Sequence, residues 1–189
     1  MSLYDRGYRG TRIKTSTEAL LAEREALIRK EQSRAKWDPH WLGMAHYHSR
    51  VSKDPSTKVG AVIIRPDGTP AGLGFNGFAR GMCDHDHLYE DREVKYSRII
   101  HGEMNAILNS YGPVHDCTLY TTPFAPCDRC AVMVIQAGIR RVVAPSLPEH
   151  LVDRWGESLA KTAAFFKEAG VEFNLLDVDL EALLPTPQG

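Results

Sequence analysis

Hydrophobic positions near the N-terminus recur at helical spacing. Ser16 or Thr17 can cap a helix that runs to about residue 37, with its charged residues covering most of the surface. Its narrow apolar stripe consists of Leu20, Leu21, Leu27 and Ile28. Asp38-Pro39 is a typical cap and first turn, so we expect a second helix over residues 39–53. This second helix should bury Trp41, Leu42, Ala45 and Val51.

Shorter apolar runs after residue 58 predict strands that alternate with helices. The predicted strands are residues 59–65, 70–76, 117–121, 139–144 and 171–175. The predicted helices are residues 101–109, with Met104, Ile107 and Leu108 inward, 127–137 and 153–169. This ββαβαβαβ order predicts an α/β fold with one mixed sheet and helices on both faces.

The remaining segments lack such a pattern. Residues 1–15 are read as an extended arm, residues 82–100 as a long polar connection, and residues 185–189 as a frayed end. We expect an N-terminal arm and helix over residues 1–37, one domain over residues 38–177, and a C-terminal tail over residues 178–189.

Composition and charge exclude several classes of protein. The 189 residues are 43% hydrophobic and 25% charged, as in ordinary globular domains. The net charge of -1 argues against a protein that binds long nucleic acid through phosphates. Residues 1–16 are polar and basic, and no apolar run approaches the roughly 20 residues that span a bilayer. These features favour a cytoplasmic protein with reduced thiols and no membrane partner.

Two short segments contain the residue types that zinc prefers. His101 supplies an imidazole, while Cys127 and Cys130 supply thiols that can point at one ion from a helix start. Glu103 is too close to His101 along the chain to be a comfortable ligand and is free to move protons. H-x-E followed by P-C-x-x-C is the pattern of zinc-dependent nucleobase deaminases. A closed zinc knot, the competing interpretation, needs a fourth protein ligand.

Four stretches of the chain resemble the cytidine deaminase superfamily and, within it, the deoxycytidylate (dCMP) deaminase branch. The stretches are residues 52–61, 74–81, 101–107 and 126–131. The resemblance implies a three-layer α/β/α fold around a five-stranded mixed sheet. It also implies hydrolysis of dCMP to dUMP and ammonia, which supplies dUMP for dTMP synthesis.

The resemblance also assigns roles to particular residues. Glu103 is the implied catalytic group, with one Zn²⁺ on His101, Cys127 and Cys130, and it carries a proton from water to pyrimidine N3 and then to the departing amine. The implied substrate-binding residues are Asn76, Gly102 and Pro126. The implied effector-binding residues, for dCTP as activator and dTTP as inhibitor with Mg²⁺, are Lys53, Lys58, Phe75, Gly77 and Arg80. Such enzymes are often homohexamers, and the N-terminal helix is a candidate subunit contact.

Some features leave alternatives open. The chain has Gly102 where the family usually has alanine, and Phe75 and Ala79 where it usually has tyrosine and proline. Cys83, His85 and His87 form either a second metal site or a solvated loop. The competing functions are deamination of dCTP, deamination of a base within nucleic acid, and a zinc module without enzymatic activity.

Overall fold

The computed structural model describes residues 16–184, and a mixed sheet lies at its centre. The strands are β1 Gly60–Ile64, β2 Pro70–Phe75, β3 Gly77–Phe78, β4 Ile99–Ile100, β5 Thr118–Thr122, β6 Arg141–Pro145 and β7 Glu172–Leu176. Five of them form the sheet in the order β2-β1-β5-β6-β7, and β3 pairs with β4 separately. β1 is antiparallel to β2 and β5, whereas β5, β6 and β7 are parallel. The expected five-stranded mixed sheet is confirmed.

Helices cover both faces of this sheet. They are α1 Ser16–Ser49, α2 His87–Glu90, α3 Arg92–Arg98, α4 Gly102–Leu108, α5 Asp128–Gln136 and α6 Val152–Ala169, with 3₁₀ turns at Glu149–Leu151 and Glu181–Leu183. Successive residues of β1 point to opposite faces. Ile63 packs in one core cluster with side chains of α4, α5 and α6. Val62 packs in the other with Leu42 of α1. This three-layer arrangement is the expected fold class.

The predicted break at Asp38-Pro39 is wrong, because α1 is one helix that contains Pro39 and ends at Ser49. Asp38 does not cap a helix. Its buried carboxylate accepts hydrogen bonds from the Tyr120 hydroxyl at 2.8 Å and from the Arg141 guanidinium at 2.8 and 2.6 Å. Because Pro39 lacks an N–H, one hydrogen bond of the helix is missing near this point. The described residues divide close by into two compact units, with the boundary between Lys36 and Trp37.

The second prediction to fail is the long connection over residues 82–100, which contains α2, α3 and β4. The Asp91 carboxylate caps α3 by accepting hydrogen bonds from the N–H groups of Glu93 and Val94. Lys95 of α3 is only 4% exposed and pairs with Asp54 at 3.1 Å. A distant partner therefore stabilises a segment whose own sequence is polar.

Smaller departures concern single side chains and the chain ends. Val51 and Leu108, both expected to be inward, are exposed. Val178 and Leu183 pack against the core cluster on the α1 face. Residues 1–15 and 185–189, predicted as an arm and a frayed end, lie outside the described residues. None of the described helices is both long and apolar enough to span a membrane.

Candidate metal and catalytic site

His101 and Glu103 lie where a short strand leads into α4. His101 is the N-cap residue of α4, with an extended backbone, and Glu103 is in the first turn. Glu103 is 4% exposed, and its Oε1 lies 3.5 Å from the Thr121 hydroxyl of β5. Its Oε2 is buried and has no hydrogen-bond partner among the described residues. A buried polar atom of this kind normally has a partner, so Oε2 indicates a place where a ligand or solvent is bound.

The two thiols lie at the start of α5. Cys127 is the N-cap residue and Cys130 is in the first turn, and both are buried. Helix α6 fixes this turn through two hydroxyl groups. Thr162 donates to the Pro126 carbonyl at 2.9 Å, and Ser158 accepts from the Asp128 N–H at 3.0 Å. The turn therefore has a defined geometry before any ligand is considered.

These donors fit the geometry of a zinc ion. The two sulfurs lie 3.5 Å (Cys127) and 3.3 Å (Cys130) from His101 Nδ1. Tetrahedral bonds of the usual Zn–S and Zn–N lengths would separate a sulfur from a nitrogen by about 3.6 Å. His101, Cys127 and Cys130 form a three-donor group without a fourth side chain within residues 16–184. Three protein donors are the usual number in catalytic zinc sites, which keep one position for water, whereas a closed zinc knot needs a fourth ligand that this group does not include.

The electrostatics of the group favour a thiolate. A hydrogen bond from Cys130 lowers the pKa of Cys127 to about 4, although burial opposes the shift. A hydrogen bond with Cys127 raises the pKa of His101, again against burial. Burial raises the pKa of Glu103, and the charge of His101 opposes this. A thiolate is the form of cysteine that binds a metal.

A cavity opens onto His101, Glu103 and Cys127. The other residues that line it come from five parts of the chain: Asp54, Ser56, Thr57, Val59, Asn76, Lys95, Tyr96, Ile99, Phe124, Arg154 and Trp155. Trp155 contributes a buried Nε1–H without a hydrogen-bond partner among the described residues, and its ring lies 5.1 Å from that of Phe124. The cavity wall thus contains one buried acceptor, Glu103 Oε2, and one buried donor, Trp155 Nε1–H, neither of which has a partner among the described residues.

The sequence did not reveal most of this lining. Tyr96 and Arg154 belong to segments without a recognisable motif, and only their convergence in space marks them. Asp54 lies in one of the four matching stretches, where the sequence assigns it no role, but its carboxylate accepts hydrogen bonds from the N–H of Ser56 and from the side chains of Asn76 and Lys95. The one sequence signal that pointed to this part of the lining was the high density of charged residues between positions 84 and 98.

The three proposed substrate-binding residues have different surroundings. Asn76 lines the cavity, but its Oδ1 accepts from the Val59 N–H at 2.7 Å, and its Nδ2 donates to Thr57 O and to Asp54. Gly102 adjoins His101, and a Cβ added to it would lie 2.9 Å from Val59 Cγ1. Pro126 precedes Cys127 in the fixed turn described above. Of the three, only Asn76 contributes to the cavity wall.

The proposed effector residues fall into two groups. Phe75, Gly77 and Arg80 line one cavity of about 470 Å³, where Arg80 donates to Asn109 at 2.9 Å. Lys53 instead pairs with Asp84 at 3.2 Å, and Lys58 lies 3.5 Å from the Arg50 carbonyl. The structure therefore brings three of the five together.

The segment with Cys83, His85 and His87 does not assemble a second metal group in the part of the chain that the structure describes. Cys83 is exposed, and the rings of His85 and His87 stack on each other at 5.7 Å. All three side chains are exposed, as the solvated interpretation expects, but His87 is the first residue of α2 and not part of a loop.

Three comparisons relate the chain to known proteins. Residues 35–146 match the family model of the cytidine and deoxycytidylate deaminase zinc-binding region. The deoxycytidylate deaminase of Mus musculus is 36% identical over 154 residues, which cover 77% of this chain and 82% of that protein. An uncharacterized deaminase in the luxG 3′ region of Aliivibrio fischeri is 38% identical over 146 residues, 77% of this chain and 97% of that one.

Among solved structures, the crystal structure of dCMP deaminase from the cyanophage S-TIM5 in complex with dCMP and dUMP is similar in fold. It has a TM-score of 0.56 and 22% identity, over 72% of this chain and 93% of that chain. This likeness shows a common fold.

Proposed function

The chain belongs to the cytidine and deoxycytidylate deaminase family, and we propose that it hydrolyses dCMP to dUMP and ammonia with one bound zinc ion. One observation carries this proposal. Glu103 is buried in a cavity wall beside the group of His101, Cys127 and Cys130, and its Oε2 has no hydrogen-bond partner among the described residues. A buried carboxylate beside a three-donor metal group is suited to moving protons during hydrolysis.

The choice of dCMP rests on relatives. The murine relative is named a deoxycytidylate deaminase and is matched over 82% of its length. The cyanophage enzyme of similar fold was crystallised with dCMP and dUMP. A hydrolase of this family therefore has dCMP as its first candidate substrate.

Proton transfer is the task of Glu103. Zinc held by His101, Cys127 and Cys130 would lower the pKa of water and so make a nucleophile available near neutral pH. Glu103 Oε2 accepts the proton that water loses as its oxygen bonds to C4, and delivers that proton to N3. Glu103 next takes the remaining proton from the new C4 hydroxyl and passes it to the 4-amino nitrogen. As the C4–N bond breaks, the C4–O bond becomes the carbonyl of the product and ammonia leaves. Burial raises the pKa of Glu103, which makes its carboxylate a stronger base and so assists the step in which it accepts the proton from water.

The proposed substrate-binding roles of Asn76, Gly102 and Pro126 rest on the hydrogen-bonding capacity that each residue retains beyond its contacts within the protein. The donors of Asn76 are engaged, so its Oδ1 would accept from a sugar hydroxyl through its second lone pair. The N–H of Gly102, at the start of a helix, has no intrahelical acceptor and would donate to the base. The Pro126 carbonyl accepts from Thr162 and can accept once more, from the 4-amino group.

Regulation is a separate part of the proposal. We place an effector triphosphate, dCTP or dTTP with Mg²⁺, in the cavity lined by Phe75, Gly77 and Arg80. Lys53 and Lys58 would contribute only through long-range charge. By resemblance the chain would assemble as a homohexamer. It would work in the cytoplasm, where a C-x-x-C pair stays reduced and able to bind zinc.

A substrate panel tests the proposal. Zinc-loaded protein is incubated with dCMP, dCTP, CMP, deoxycytidine and a single-stranded oligonucleotide, and ammonia release is measured. We expect the highest kcat/KM on dCMP, with activation by dCTP and inhibition by dTTP. Preference for the oligonucleotide would identify a nucleic-acid deaminase, and no ammonia from any substrate would identify a zinc module without activity.

A further inference from the structure

A second cavity adjoins the catalytic one. It measures about 450 Å³ and shares Ser56, Lys95, Tyr96 and Arg154 with the cavity of His101 and Glu103. These four residues form a common wall, so a ligand that places one end beside Glu103 can place its other end in this second space. Arg92 lines only the second cavity.

Two arginines from different helices converge in this second cavity. Arg92 of α3 holds its guanidinium carbon 5.2 Å from the centre of the Tyr96 ring, and Arg154 of α6 holds its own 5.2 Å from the centre of the Trp155 ring. Burial raises the pKa of Tyr96, but Arg92 and Arg154 together outweigh burial and lower it. Both guanidinium groups therefore lie close to the Tyr96 hydroxyl.

Neither arginine is neutralised by a carboxylate. Within residues 17–184, no carboxylate oxygen lies within 4.0 Å of a guanidinium nitrogen of Arg92 or Arg154. The one acid in the cavity wall is Glu90, which is exposed. Lys95 differs, because it is buried and engaged by Asp54 at 3.1 Å and by the Ser56 hydroxyl oxygen at 3.0 Å.

Apart from Arg154 in the common wall, the catalytic cavity has no lysine or arginine without a carboxylate partner. It contains the carboxylates of Asp54 and Glu103, and the Asp54 charge is already matched by Lys95. A nucleotide, neutral at its base and doubly negative at its phosphate, matches this division between the two cavities. Guanidinium groups bind phosphate oxygens through paired, charge-assisted hydrogen bonds.

We infer that Arg92, Tyr96 and Arg154 form an anion clamp that holds the 5′-phosphate of the nucleotide whose base lies beside Glu103. The inference rests on the proposed function, because it assumes a nucleotide in that cavity. The Ser56 hydroxyl accepts from Lys95 and keeps its own proton to donate to the same phosphate. The clamp makes the enzyme select nucleotides over nucleosides.

Substitution of the arginines tests the clamp. The variants are Arg92→Gln, Arg154→Gln and both together, and kcat/KM is measured on dCMP and on deoxycytidine with zinc-loaded protein. Each single change should lower the dCMP-to-deoxycytidine ratio of kcat/KM about tenfold, and the double change by about 100-fold or less. Arg154→Lys should recover part of the ratio. Arg140→Gln is the matched control, since Arg140 is 66% exposed and pairs with Asp116 outside both cavities.

Inorganic phosphate provides a second readout that a merely structural role would not affect. It should raise the KM for dCMP in the unmodified protein, relative to potassium chloride of equal ionic strength, and have no such effect in the double variant. An unchanged dCMP-to-deoxycytidine ratio in the double variant would overturn the clamp.

The failure of the clamp can be separated from the failure of the proposed function. If the unmodified protein deaminates no cytosine compound, the proposed function fails. Calorimetric titration of dCMP into the unmodified protein and the double variant then still decides the clamp. Equal affinity in the two, or no binding to either, refutes it, and weaker binding to the double variant supports it.

Discussion

The ion pair between Lys95 and Asp54 should be among the largest single contributions to the stability of the catalytic domain. The two side chains are 6% and 7% exposed, and Lys95 Nζ lies 3.1 Å from Asp54 Oδ1. Lys95→Met removes the positive charge and keeps most of the apolar stem. The Asp54 carboxylate is then left buried without its cation.

The magnitude follows from what Asp54 retains. Breaking a buried ion pair by removing one partner costs about 3–5 kcal/mol. Asp54 keeps hydrogen bonds from the Ser56 N–H at 2.8 Å and from Asn76 Nδ2 at 3.2 Å, which favours the lower end of this range. About 3 kcal/mol corresponds to a fall in Tm of about 6–12 °C for a chain of this size. Activity should fall as well, because Asp54 positions Asn76 in the cavity wall.

Thermal unfolding of zinc-loaded protein at pH 7 measures the effect. Lys161→Met is the matched control, because Lys161 makes a pair with Glu157 at 2.7 Å while remaining 51% exposed. An exposed pair contributes little to stability, because solvent and salt screen its charges. Asp54→Asn combined with Lys95→Met should be less destabilising than the sum of the two single changes, since no unpaired charge remains. If Lys95→Met lowers Tm no more than Lys161→Met does, the reasoning is refuted.

Three further predictions concern the metal site. Thr162→Val removes the hydrogen bond to the Pro126 carbonyl and should weaken zinc binding about tenfold, as measured by competition with a chromophoric chelator. Unchanged zinc affinity would show that the turn does not need this hydrogen bond. Gly102→Ala places a Cβ 2.9 Å from Val59 Cγ1 and 3.2 Å from the Val59 carbonyl oxygen, and it should destabilise the protein by about 1 kcal/mol and raise the KM for dCMP. Val59→Ala removes only the side-chain part of this contact and should relieve part of both effects, and an unchanged Tm and KM in Gly102→Ala would contradict the clash. Dialysis against a zinc chelator should abolish deamination and lower Tm, and added zinc should restore both; activity that survives complete removal of the metal would contradict a zinc enzyme.

The sheet and the metal group could be predicted because their signals are local. β1 is a continuous apolar run, and all five of its residues are buried. His101, Cys127 and Cys130 were identified by residue type and spacing, and the fold brings their donor atoms within 4.8 Å of one another. Each of these features is encoded in a few neighbouring residues.

The failures arise from contacts between residues far apart in the chain. Asp38 resembled a helix cap, yet its carboxylate is used by Tyr120 and Arg141, so the helix continues through Pro39. The helix that contains Lys95 depends on Asp54, 41 positions earlier. No pattern within either segment reports such a partner, so sequence periodicity misplaced both.

Deamination of dCMP by zinc-loaded Glu103→Gln tests the central claim most directly. The amide keeps the size of the carboxylate but cannot take a proton from water, so we expect unchanged zinc content and a rate at least 100-fold lower than that of the unmodified protein. A variant that retains its zinc and also deaminates dCMP at the unmodified rate would contradict the account.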